Sequence, residues 1–111
     1  MTAGEFKRRL MKIIRDLENV RNEGCALYRK VKDRGNFGSS VRFFSSSINP
    51  LIGNITNLCR YIENEIGDST VLTESTSIRA SQAEKTIAEY EEILQSKRQI
   101  VEHVRTQSFF H

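Results

Sequence analysis

Arg98 and His103, in the segment Arg98-Gln-Ile-Val-Glu-His103, are the residues best suited to chemistry in this chain. An imidazole moves protons near neutral pH, and a guanidinium holds phosphate oxygens in a planar fork. The other histidine, His111, is the last residue. Carboxylates gather nearby at Glu89, Glu91, Glu92 and Glu102, but no histidine stands at ligand spacing among them. A di-metal helical bundle needs Glu-x-x-His pairs, and none occurs. Cys25 and Cys59 form no C-x-x-C and have no histidine beside them, so they read as thiols of a reducing compartment rather than a disulfide or zinc site. Phosphate-cradling glycine loops, G-x-S-x-G and H-E-x-x-H are all missing. No metal, cofactor or catalytic residue is therefore expected.

The Arg-x4-His spacing of Arg98 and His103 resembles that of the HEPN superfamily of helical-bundle ribonucleases. The resemblance covers six residues, and Gln99 matches only loosely the polar residue that follows the arginine there. It implies that Arg98 and His103 act on a scissile phosphate, usually across a dimer cleft. The heptad phase turns His103 away from the apolar seam. Read that way, the segment is a solvated helix surface with Arg98 paired to Glu102.

Charge is unevenly placed. Residues 1–34 hold ten basic and five acidic groups, whereas residues 68–111 hold five basic and seven acidic. Lys7, Arg8, Arg9, Lys12 and Arg15 cluster early in the first helix, and Arg29, Lys30, Lys32 and Arg34 at its end. The later cluster suits a helix C-terminus; the earlier one opposes the positive end of the helix dipole. That favours a binding role for the early patch, toward phosphate or an acidic protein. Glu5, Asp16, Glu18 and Glu23 are interspersed, and no aromatic stacking platform sits among the cations.

The elements that position these groups follow from apolar spacing. Phe6, Leu10, Ile13, Leu17, Val20, Gly24, Leu27 and Val31 alternate in steps of four and three, with Gly24 alone breaking the apolar run. This is a heptad seam, and it predicts a helix over about 4–34 stopped by Gly35. The same alternation runs through the Gly/Ser-rich stretch as Phe37, Val41, Phe44, Ile48, Leu51, Ile55, Leu58 and Ile62. A second helix is expected over about 39–66, in two pieces broken at Asn49-Pro50, because proline is favoured at a first helical position and costly inside a helix. Gly67 should stop it. The third seam is Ala80, Ala83, Ile87, Tyr90, Leu94, Lys97, Val101 and Val104. It predicts a helix over about 81–107, opened by a Ser81–Glu84 capping box or starting as early as 70.

At 111 residues the chain is one domain. The fold class is all-α, an antiparallel up-down-up bundle of three main helices. No apolar run is long enough to span a membrane, and MTAGEFKRRL has no apolar signal core, which predicts an intracellular, cytoplasmic protein. Three helices make a thin core, so self-association is expected. Phe43 and Phe44, with Phe109 and Phe110, are the aromatic pairs expected to contact a protein partner or a second copy. Lys7, Arg8, Arg9, Lys12 and Arg15 form a charged rim. The expected function is a non-enzymatic interaction module, such as an adaptor, assembly subunit or regulator. The alternatives are a nucleic-acid-binding bundle using the basic first helix, or the ribonuclease that Arg98 and His103 imply.

Overall fold

In the computed structural model, the 4–3 rhythm becomes three helices: α1 (Ala3–Val31), α2 (Phe37–Tyr61) and α3 (Ala80–Phe109). The structure describes residues 1–31 and 37–109, and the side chains of 1–30 and 41–106. The expected stop at Gly35 lies outside the described residues. The bundle is elongated, 54 × 21 × 15 Å, with a radius of gyration of 17.1 Å. A compact globule of this length would have about 13 Å.

The seams are the core. Phe6, Leu10, Leu17, Ile48, Ile55, Ile62 and Ile87 are fully buried, and Ile13, Leu94 and Val101 nearly so. Burying each such side chain contributes about 1.5–3 kcal/mol. α1 is the central element and packs on both α2 and α3, whereas no described Cα of α2 comes within 8 Å of one in α3. With Cα atoms on cylinders of ~2.3 Å radius, that keeps the α2 and α3 axes about 12 Å or more apart, beyond the ~8–10 Å of directly packed helices. The three-position seam of α1 serves two neighbours.

The two pieces of the second helix are joined into one. Pro50 sits inside α2, and Ser46 on the preceding turn loses the N–H its carbonyl would accept. Asn49 does not cap a new helix; its Oδ1 accepts from Arg21 Nη1 at 2.9 Å and its Nδ2 donates to Ser45 Oγ at 3.2 Å. The apolar row decides the outcome, because Phe44, Ile48 and Ile55 on both sides of the proline are buried.

α2 continues as a π-helical turn, Ile62–Ile66, closed by Gly67, whose N–H donates to the Ile62 carbonyl. Gly67 has φ of 90°, the left-handed region that glycine enters without steric cost, so the expected stop is there. The chain then straps across the start of α1. Ala3 N–H donates to Thr70 O, Gly4 N–H to Asp68 O and Leu72 N–H to Met1 O, and Thr2 bridges Val71. The strap satisfies helix-terminal N–H groups that α1 cannot satisfy itself. Gly4 permits the approach, since a Cβ there would lie 2.9 Å from the Asp68 carbonyl.

α3 begins at Ala80, not near 70, because Thr and Ser side chains fold 73–78 into turns. The expected capping box is not formed. Ser81 N–H and Oγ both donate to the Glu74 carboxylate, while Glu84 turns to Arg9. A side-chain cap occurs instead at the start of α1, where Thr2 Oγ1 accepts from Glu5 N–H. α3 runs parallel to α1, as the ladder Arg9–Glu84, Asp16–Arg98 and Glu23–Arg105 records. The order is up-down-up.

Candidate functional site

Phe44 and Phe43 are neighbours in sequence and part company in the fold. Phe44 is 3 % exposed, its ring tilted on Tyr28 at 5.8 Å between centroids and seated over Gly24. It is a core residue and offers nothing to a partner, because helical phase points it at α1. Phe43, about 100° further round, is 78 % exposed. The side chains of Phe109 and Phe110 lie outside the described residues.

The helix face that carries Phe43 is unusual. Phe43, Ser47, Pro50, Asn54, Asn57 and Tyr61 follow each other in steps of four and three, so they form a second row along α2. All but half-buried Ser47 are exposed, Tyr61 to 41 %. Half-buried Leu51 and Leu58 flank this row. No charge occurs from Phe43 to Cys59 in a chain with 28 % charged residues. Arg42 and Glu65, at opposite ends of the face, are exposed and make no ion pair with a described residue. Sequence reasoning missed this row because it sought apolar periodicity; the absence of charge over that stretch was the available signal.

The early basic patch divides. Lys7 turns inward as a strut, with Nζ 2.8 Å from Asp68 Oδ2 and 3.4 Å from Glu63 Oε1, and leaves the expected rim. Its hydrogen bond to Asp68, opposed by desolvation and reinforced by Glu63, raises its pKa above 10.5. Arg9 is drawn to Glu84 at 3.3 Å. Arg8, Lys12 and Arg15 remain exposed and line, with Glu5 and Arg9, a shallow depression of about 380 Å³.

At the suggested catalytic pair, Arg98 Nη2 lies 3.5 Å from Asp16 Oδ2, so its partner is on α1 rather than Glu102. Glu102 takes Arg105, which also meets Glu23. His103 is exposed on the flank of α3. Among the described residues no three His, Cys, Asp or Glu side chains gather as a metal site, and no helix is long and apolar enough to cross a membrane. Burial and the nearby Glu63 carboxylate push the Cys59 thiol up, away from the reactive thiolate.

The chain matches no family model, no curated protein and no solved structure.

Proposed function

We propose that the protein is a non-enzymatic helical interaction module that associates with a second copy of itself through the outward face of α2. The supporting observation is that uncharged face, with Phe43 and Tyr61 exposed at its two ends. Two such faces meet antiparallel about a two-fold axis near Ile52. Phe43 of one copy then lies against Tyr61 of the other, and Pro50 against Asn54. A parallel pairing would set Arg42 beside Arg42, Arg60 beside Arg60 and Glu65 beside Glu65, with like charges only. The antiparallel pairing sets Arg42 level with Ile62 of the other copy, within one turn of both Arg60 and Glu65, so the carboxylate offsets the two cations, and it makes the interface isologous. Small side chains between the aromatic ends let the two backbones approach.

The contact is modest. A helix of 25 residues is ~37 Å long, and a strip ~10 Å wide covers on the order of 400 Å² per copy. That is at the low end for protein interfaces, so the dimer is weak and concentration-dependent. Sedimentation equilibrium tests it. The wild-type mass rises from 12.8 kDa toward twice that value with concentration. Asn54→Arg puts two like charges into the centre of the face and weakens association at least ~10-fold, as unpaired charges in a desolvated contact do. A monomer at all concentrations, or a dimer indifferent to Asn54→Arg, overturns the reading.

A further inference from the structure

A different face of the molecule carries a second row. On the outward side of α1, Arg8, Lys12, Arg15, Asn19, Asn22, Ala26 and Arg29 recur in steps of four and three, all exposed. Lys30 flanks the far end. Twenty-one residues at ~1.5 Å each make this row ~32 Å long. No carboxylate stands in it; Glu5 lies one step before Arg8, and Glu18 and Glu23 flank its second half. Among the described residues the cations that form ion pairs between elements are others: Lys7 to Glu63 and Asp68, Arg9 to Glu84, Arg98 to Asp16 and Arg105 to Glu23. Arg8, Lys12 and Arg15 make no ion pair with any described residue. Their place in the first half of α1 gains nothing from the helix dipole, which favours carboxylates there. Neither tertiary ion pairing nor the helix dipole accounts for them.

We infer that the outer row of α1 is a binding surface for the phosphate backbone of duplex nucleic acid. Arg8, Lys12 and Arg15 span ~10 Å of helix, the axial length of about three successive phosphates of one strand at ~3.4 Å each. The row is straight and has no aromatic side chain, so it lacks the stacking platform that single strands use. An anionic membrane is the poorer match: an interfacial helix buries an apolar face in the lipid, and the apolar face of α1 is already buried against α2 and α3. Of the exposed large apolar residues only Met11 lies beside the row. The contacts are to phosphate, so binding is independent of base sequence.

The test is fluorescence anisotropy with a labelled 20-base-pair DNA duplex, the matching RNA duplex and a 20-nucleotide single strand, over about 50 to 200 mM salt. Three neutralised phosphates give a slope of log affinity against log salt near −2.7 for B-form DNA, a loss of about 40-fold across that range. Lys12→Gln with Arg15→Gln removes two contacts and brings the slope to about −1. Arg79→Gln with Lys85→Gln removes the same charge away from the row and leaves the slope unchanged. The DNA and RNA arms show which duplex is preferred. An unchanged slope in the Lys12/Arg15 variant overturns the inference. So does tighter binding to the single strand, or no duplex binding at 50 mM alongside binding to phosphatidylserine vesicles. The surface does not involve α2, so either proposal survives failure of the other.

Discussion

Phe44→Ala destabilises the chain by about 3–5 kcal/mol, read from urea unfolding followed by circular dichroism. The ring fills the space over α1 where every other seam residue but Gly24 supplies a side chain. An alanine Cβ at position 24 would lie 2.2 Å from Phe44 Cε1, 2.8 Å from Cζ and 2.9 Å from Cδ1. Gly24→Ala therefore costs about 1–3 kcal/mol through overpacking, although alanine in a helix interior is favoured over glycine by ~1 kcal/mol. The two effects separate in a double mutant. With Phe44→Ala in place the clash is gone, and Gly24→Ala turns stabilising by up to ~1 kcal/mol. A neutral or stabilising Gly24→Ala in the otherwise unaltered chain contradicts this packing.

Pro50→Ala stabilises the chain by up to about 3 kcal/mol, the usual penalty of a proline in a helix interior. The substitution restores an N–H for the Ser46 carbonyl and removes the pyrrolidine ring from the preceding turn. Pro50 is exposed, so no packing is lost with the ring. The same melts check it. If Pro50→Ala destabilises instead, the proline is needed for Phe44 and Ile55 to reach α1 together, and its cost to α2 is offset there.

The seams were legible because helical period is a local property. Phe6, Leu10, Leu17, Ile48, Ile55, Ile87 and Leu94 all stood in the 4–3 rows, and all are buried. Gly67 was legible as a stop because few residues other than glycine adopt its positive φ. Pro50 misled because its local cost was weighed without the burial on both flanks. Lys7 misled because its partners, Glu63 and Asp68, lie far along the chain and meet it only through the strap. The Ser81–Glu84 box failed for the same reason: Glu84 had a better partner in Arg9, and Glu74 reached Ser81 from the turn. At the candidate interface, helical phase separates exposed Phe43 from buried Phe44, although the two are adjacent in sequence. That α1 lies between α2 and α3 was not legible, because all three helices carry seams of similar width.

The most direct test of self-association through α2 is an exchange of the charges at its ends. Arg42→Glu and Glu65→Arg are made singly and together, and the dissociation constant of each is measured by sedimentation equilibrium. Glu65→Arg leaves only cations, Arg42 and Arg60 among them, at both ends of a two-fold interface, whereas Arg42→Glu alone trades the like charge of Arg60 for that of Glu65. With about 0.2–1 kcal/mol per exposed pair and two symmetric pairs, Glu65→Arg weakens association by roughly 2- to 30-fold. The double exchange restores opposite charges and returns affinity at least to that of the unaltered protein. A Glu65→Arg variant that associates as well as the unaltered chain, or a double variant as weak as it, contradicts the antiparallel contact.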